Sequence, residues 1–447
     1  MAKPIDNPQQ ISILIPTRAR PAFLQDLFDS LEENTQDKAL VDVWLYVDDD
    51  DLVTREYIET HRHPSYGFHI NWVIGERTRT GGQMANVLWQ KCTTNSGIYM
   101  PATDDLLFAT KKWDCVVREA FNHYPDRILL AYPDEASAVP GQVTLAILSA
   151  EWINIAGRLF TTYFPFWFDD AWVDHVAQMI QRKVRLDIQM NPQGGRGKTT
   201  RMRNLRFWGR FFHHTLDERI AEAALLRKAI YREGSSEYAS SAEEGERLAQ
   251  RFRASGEEGS DEEAIYAERM FGGGQAKPSA EYLAIETDAA QHLFKKARTL
   301  FARRNFPEAL AMLDTVCYAS LKFQNLEGAR ALCFRALGRQ DDARLAEAAE
   351  MAINPAVPAA GEIWSEDWQL TPMGENPDAL NPQLGITSEL RIRLMPVTKR
   401  LGLIWRMMAD HPVGEWLPTF REFWSKYRRR HISHAPQNSR STARYNH

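Results

Sequence analysis

The chain has 447 residues, 44% apolar and 25% charged, with a formal net charge of −5; this asks for two or three globular domains and speaks against nucleic-acid binding by the chain as a whole. The opening residues, MAKPIDNPQQ, hold no apolar signal stretch, and no run of about 18 apolar residues follows, so neither a simple secretory signal nor a membrane span is expected. Cys92, Cys115, Cys317 and Cys333 lie far apart with no Cys-x-x-Cys pair, the pattern of reduced thiols in a cytoplasmic protein rather than a disulfide framework or zinc site.

Strand and helix signals alternate through the N-terminal part of the chain, which predicts an α/β layer structure. Ile11–Pro16 (ISILIP) is a short, β-branched apolar run of the kind that forms a buried parallel strand. Leu24, Leu27, Phe28 and Leu31 then mark one face of a helix. Val41–Val47 predicts the second strand, which stops in Asp48–Asp51, and Phe68–Ile74 a third. Gly81–Gly82 opens a helix through Lys91, and Ile98–Pro101 leads into Thr103-Asp104-Asp105. Ile128–Tyr132 and Val143–Leu148 read as further strands and Asp170–Arg182 as a helix.

Residues 233–283 are rich in Glu, Ser and Gly and read as an acidic linker or insertion, partly helical at best. From residue 284 helical patterning returns. Ala297, Ala302 and Ala309 are each answered 34 residues later by Ala331, Ala336 and Ala343, a period that resembles tetratricopeptide repeats over 284–352. Two units are fewer than a free-standing solenoid needs, so a helical pair docked on the first domain is an equal expectation, and such repeats imply a protein partner. Residues 353–434 read as a Pro-punctuated connector followed by two amphipathic helices, about 388–409 and 418–430, and 435–447 as a disordered tail. In the second helix Trp416, Phe420, Phe423, Trp424 and Tyr427 form an aromatic stripe flanked by Arg428–Arg430. It could lie on an anionic membrane surface, peripherally, or pack on the repeat helices.

In a parallel α/β sheet, ligands collect at the carboxyl ends of the strands. Two acidic clusters, Asp48–Asp51 and Asp104–Asp105, fall there. Carboxylates suit a hard divalent cation, Mn2+ or Mg2+, whose remaining ligands a diphosphate can supply. Strand-end aspartates also cap helices, and a single cluster would be read that way; two in order, with glycines between them, favour the metal–diphosphate reading.

The ordered set ISILIPTRAR, VDVWLYVDDDD, GGQMAN and YMPATDDLLF resembles the inverting family 2 glycosyltransferases of GT-A fold, over about residues 10–190. The resemblance implies an α/β protein with a GT-A (Rossmann-like) mixed sheet flanked by helices, residues 1–232, followed by an all-α C-terminal region. It places Thr17 and Arg20 against the nucleobase and Asp49, or Asp48 in its stead, on base or ribose. Asp105 would bind the metal and Asp104 would contact ribose or a metal-bound water. The triplet Thr103-Asp104-Asp105 departs from the commoner Asp-x-Asp form, which leaves the number of direct carboxylate ligands open.

Inversion requires a general base for the acceptor hydroxyl. The aromatic segment FPFWFDDAWVDH carries Asp169 and Asp170, and in the resembling family the base comes from such a pair at a helix start with an arginine further along, here Arg182. Asp170 is the expected base and Asp174 the reserve; capping by Asp169 and burial of the aromatics is the competing reading. Between Arg182 and Arg210 nine Lys/Arg face one acid, Asp187. Within it, Arg196, Lys198, Arg201 and Arg203 are candidate contacts to a diphosphate leaving group, or an ordinary solvated loop. A phosphate-binding G-x-x-x-x-G-K-[ST] loop is excluded because Pro192 stands where its first glycine belongs, and because no buried-strand run leads into it. His213, with His214 beside it, is a further metal candidate.

The expected function is metal-dependent transfer of a sugar from a nucleotide sugar, a uridine diphosphate sugar first, to an acceptor hydroxyl. Two alternatives remain. One is a non-catalytic helical interaction protein with a degenerate nucleotide-binding half. The other is a nucleotidyltransferase, against which the glycine-free Thr17–Pro21 turn counts.

Overall fold

A computed structural model describes residues 2–60, 66–78, 80–135, 141–193, 204–257, 264–265, 278–355 and 364–380. Its centre is an eight-stranded mixed sheet. Strand β1 (Asn7–Thr17) lies between β2 (Val41–Asp48) and the later β4 (Ser96–Pro101), parallel to both, with β3 (His69–Gly75) beyond β2. Neighbours on both sides explain why Ile11, Ile13, Leu14 and Ile15 are inaccessible to solvent and why the run reads as continuously apolar. The parallel register sets Thr17 beside Val47 and Asp48 beside Gly75, so the candidate residues emerge at one edge.

Beyond β4 the order continues β7 (Ile147–Ser149), β6 (Leu130–Glu135), β8 (Lys183–Pro192) and β5 (Leu106–Phe108), with β7 and β5 antiparallel to their neighbours. The β8 strand was not expected, although Arg185, Asp187 and Gln189 point out and Leu186, Ile188 and Met190 point in; the density of basic residues obscured this period-two signal. A strand therefore does lead into the basic stretch, which removes one of the two grounds against the phosphate-binding loop. The other, Pro192, stands.

Helix α1 (Pro21–Asn34) begins with proline at its first turn and buries Leu24, Leu27, Phe28 and Leu31 as its spacing predicts. With α2 (Leu52–Thr60), α3 (Gly81–Lys91), α4 (Trp113–Asn122), α5 (Ala150–Ala156) and α6 (Asp169–Met179) it flanks the sheet. One face packs with α1 and α4 around Leu27, Trp113 and Phe121; the other, around Trp44, Tyr99 and Leu148, is continuous with α3, α5 and α6. That second core runs on through α7 (Leu205–His214) and α8 (Leu216–Ile230) into the helical C-terminal part.

The stretch read as a linker contains the 22-residue helix α9 (Ser236–Glu257). Ser241, Gly245 and Ala249 fall on one stripe, and Arg227 of α8 donates to Ser241 Oγ at 3.2 Å and to Met179 O at 3.0 Å across it. A Cβ on Gly245 would stand 2.3 Å from that guanidinium. Small residues that resemble linker composition are here what lets α9 approach.

Helices α10 (Ala280–Ala302), α11 (Phe306–Val316), α12 (Leu326–Ala336) and α13 (Gln340–Ile353) form two consecutive pairs, with α10 and α12 ending, and α11 and α13 starting, 34 residues apart. Arg304 (φ 62°) and Gly338 (φ 76°) make the same left-handed turn in each. The bonds Asn305 N–H to Leu300 O (2.9 Å) and Arg339 N–H to Phe334 O (2.8 Å) repeat at the same interval. Ala297, Ala309, Ala331 and Ala343 are buried between the helices, whereas Ala302 and Ala336 sit exposed at helix ends. The connector read as loop-like supplies β10 (Thr371–Glu375), paired antiparallel with β9 (Leu321–Gln324), and the short helix α14 (Pro377–Leu380). The amphipathic helices and tail expected after 380 lie outside the described residues. Among the described residues no helix is long and apolar enough to cross a membrane.

Burial pushes His214 and His175 down to about 3, with nearby cations (His213, Lys296 and Arg210 for the first; Arg219 and Lys183 for the second) acting in the same direction. Their folded values lie below the unfolded value of about 6.5, so the unfolded chain binds the extra protons and stability falls as pH drops below about 6.5. Both side chains retain some exposure, so each contributes less than the ~1.4 kcal/mol per pH unit of a fully buried group. Melting temperature should fall steadily from neutral to about pH 4.5, with a shallower slope in His214→Asn; an unchanged slope would remove His214 as a cause.

Candidate functional site

Six carboxylates crowd the carboxyl edge of β2 and β4, and the structure gives them different partners. Arg18 bridges two: its Nη1 lies 2.7 Å from Asp48 Oδ2 and its guanidinium holds Asp50 through contacts of 2.5 and 2.9 Å. Asp50 falls below the usual carboxylate range chiefly through these bonds, and Arg18 rises in return. Asp51 is buried; burial raises its proton affinity, but bonds from Thr54 and the Ala19 N–H (2.8 Å) outweigh this and leave it lowered. Asp51 thus caps α2 and fixes the left-handed Ala19 (φ 53°). Asp49 is exposed.

Asp104 is 4% exposed and accepts from Thr17 Oγ1 and from Arg20 Nη1, both at 2.9 Å. Burial raises its proton affinity, Arg20 and Thr17 oppose, and Asp105 adds to the rise. The structure therefore joins three sequence-derived candidates, Thr17, Arg20 and Asp104, in one ion-paired cluster across β1 and β4. Asp105 is only partly covered, and no described hydrogen bond engages its carboxylate. Its carbonyl accepts the N–H of Gln193, the residue that follows β8, at 2.6 Å. Arg196, Lys198, Arg201 and Arg203 themselves lie outside the described residues.

No three potential ligand atoms converge at Asp104–Asp105 among the described residues; the one such group is Asp37, after α1, with Asp114 and Cys115 at the start of α4. There, Asp114 already accepts from the Gln36 and Asp37 N–H groups and from Arg118. At Asp105 the donor set is one carboxylate with its oxygens available, which fits a hard divalent ion that takes its other ligands from phosphate and water.

Gly82 and Asn86 of the GGQMAN segment have roles that were not anticipated. Thr80 caps α3 through Gln83 N–H (2.9 Å). Asn86 accepts from the Leu159 and Phe160 N–H groups at 2.8 and 3.2 Å and donates to Phe160 O at 2.8 Å. A Cβ on Gly82 would stand 2.3 Å from Thr161 O and 3.3 Å from Asp169 Oδ2. The glycine thus admits the loop that carries the acidic pair, and the asparagine ties it down. The legible signal was an amide side chain one turn after a paired glycine.

The pair itself divides. Asp169 Oδ1 is shut off from solvent without a hydrogen-bond partner, although the residue as a whole keeps some exposure. Burial, then the Asp170 charge, push its proton affinity well up. Asp170 is partly exposed at the first turn of α6, with its Oδ1 2.8 Å from the Ala171 N–H. Asp174, the reserve base, is engaged by Lys183 at 2.8 Å. Arg182 lies beyond the end of α6 and pairs with Asp126 at 2.9 Å, away from the acidic pair. His214 Nε2 contacts Thr315 Oγ1 of α11 at 2.9 Å, and the His213 ring lies beside it at the end of α7, centroids 5.7 Å apart and planes tilted by 58°. The four cysteines are free thiols.

No family model matches the chain, and no curated protein matches it. Its solved structural neighbours are glycosyltransferases of GT-A type. S. aureus TarS 1–349 in complex with UDP is 12% identical, with 77% of this chain and 91% of that chain covered and a TM-score of 0.41. Mannosyltransferase PcManGT from Pyrobaculum calidifontis, in complex with GDP-Man and Mn2+, is 16% identical over 70% of this chain and 90% of that one, with a TM-score of 0.36. GalNAc-T7 with UDP, GalNAc and Mn2+ is 11% identical over 54% and 55%, with a TM-score of 0.34.

Gly82→Ala should destabilise the protein by about 1–3 kcal/mol because a backbone oxygen, which cannot swing aside, occupies the space. Gly81→Ala, with nothing within 4 Å, is the matched control and should be neutral or slightly stabilising. Equal melting temperatures in the two variants would show that the loop does not press on α3.

Proposed function

We propose that the protein is a metal-dependent glycosyltransferase that moves a sugar from a nucleotide-sugar donor, a uridine diphosphate sugar in the first instance, to an acceptor hydroxyl with inversion. The observation that carries this reading is the Thr17–Asp104–Arg20 cluster at the carboxyl ends of two adjacent parallel strands, with the neighbouring Asp105 carboxylate left available. Thr17 and Arg20, oriented by Asp104, would hold the base; Asp49, exposed beside the Arg18-bridged Asp48, would take base or ribose.

Asp105 would hold Mn2+ or Mg2+, which when bound offsets charge on the diphosphate. A second protein ligand, His213, is proposed from its place at the end of α7. Arg196, Lys198 and Arg201 would complement the departing nucleoside diphosphate, since their segment starts one residue after Gln193. Asp170, partly exposed at the positive end of α6, would receive the acceptor proton. Asp169, with one oxygen shut off from solvent and its proton affinity raised by burial and by the Asp170 charge, would leave the base role to Asp170. The boundaries 1–232 for the transferase domain and 284–352 for a tetratricopeptide-like unit are part of the same proposal, the latter as a docked element offering its outer face to a protein partner.

Incubation with a nucleotide-sugar panel should give metal-dependent release of nucleoside diphosphate. Asp105→Ala and Asp170→Asn should each lower the rate roughly a hundredfold or more, Asp169→Asn far less, and His213→Ala should raise the metal concentration needed for half-maximal rate. Undiminished turnover in Asp105→Ala and Asp170→Asn would overturn the roles of both carboxylates.

A further inference from the structure

Two consecutive bulky residues, Trp167 (φ 55°) and Phe168 (φ 64°), adopt the left-handed backbone region immediately before Asp169. Aromatic residues reach that region at an energetic cost, and such strain persists only where the surroundings over-determine it. The surroundings here do so. Phe166 stacks on Tyr282 of α10 with ring centroids 6.3 Å apart and planes 9° from parallel. Phe168 packs against Phe212 at 5.2 Å and Phe164 at 5.3 Å. The Trp167 carbonyl accepts the Asp169 N–H at 2.9 Å, which closes the turn onto the acidic pair.

With the rings on both sides of it drawn into the core, Trp167 is turned outward and left 40% exposed, while Phe164 and Phe166 are buried. A tryptophan displayed at the cost of backbone strain, three residues before the partly exposed Asp170, has the chemistry of a carbohydrate platform: a broad, rigid, apolar face in the same segment as a proton acceptor. We infer that Trp167 stacks against the apolar C–H face of a pyranose ring in the acceptor and so presents that ring's hydroxyl to Asp170. This rests on the glycosyltransferase reading above and adds to it the acceptor class, a sugar ring rather than an acyclic polyol or a lipid alcohol. Tyr282 and Phe212 are positioning residues for the platform, because they hold the flanking rings.

The test uses the full chain with Trp167→Asn, which tolerates the left-handed backbone, and Trp167→Phe, which retains a stacking ring. Acceptor KM should rise roughly five- to tenfold in Trp167→Asn, donor KM should hold, and Trp167→Phe should recover most of the loss. The melting temperature of Trp167→Asn should stay level or rise, because a strained aromatic has been relieved. An active Trp167→Asn with unaltered acceptor KM, a preference of the wild type for acyclic polyols or lipid alcohols over pyranosides, or a melting temperature that falls together with both KM effects would each overturn the inference. Failure of the wild type to release nucleoside diphosphate from any donor is a different result: it removes glycosyl transfer itself and this inference with it.

Discussion

Six carboxylates at one edge of a sheet repel one another, and the arrangement of that edge follows from how their charge is compensated. Arg18 bridges Asp48 and Asp50, and the N–H groups around Ala19 and Thr54 engage Asp51. Thr17 and Arg20 satisfy Asp104, whose burial would otherwise favour protonation. All the donors come from the end of β1, the turn that links it to α1, or the start of α2. One short segment, Thr17–Arg20, is therefore held in place by acids from two other strands, and the residues left over, Asp49 and Asp105, are those a ligand could use.

The helical C-terminal part is joined to the sheet by polar contacts as well as by the shared apolar core. Glu218 accepts from Tyr163 (2.8 Å), His292 (2.8 Å) and Lys296 (3.5 Å), and these bonds bring its proton affinity down despite burial. Glu286, buried in α10, accepts from Asn204, Ser320 and Tyr282, while Tyr282 also receives the Trp208 indole N–H at 2.9 Å. A buried carboxylate tolerates its surroundings only when fully hydrogen-bonded, so these two fix α10 against α7 and α8 in a single arrangement. The aromatic loop before α6 sits on that surface. Its strained backbone is a property of the joined molecule, since Tyr282 of α10 supplies one of the packing partners.

Much of the sheet was legible because a buried parallel strand has only one way to look: a short β-branched run with no polar alternation. Ile11–Pro16, Val41–Val47 and the helix from Gly81 to Lys91 follow directly. The 34-residue spacing of alanines likewise matches helix ends and turns at the same interval. Where composition stood in for pattern, the reading was poorer. Arg185, Asp187 and Gln189 hid the alternation of β8, and Ser241, Gly245 and Ala249 looked like a linker when they are the contact face of α9.

The sequence by itself determined which residues stand at strand ends, because period and proline placement are local properties: Thr17, Asp48–Asp51 and Asp104–Asp105 could be named without coordinates. It did not determine which of those acids is neutralised, because Arg18, Arg20 and Thr17 reach them across strand neighbours that only the register brings together. Nor could it separate Asp169 from Asp170. Adjacent in the chain and identical in chemistry, they differ because the fold shuts one Asp169 oxygen off from solvent and leaves Asp170 partly exposed, its carboxyl near the Ala171 N–H in the first turn of α6. Burial depends on what the rest of the chain places nearby, and that is decided in three dimensions.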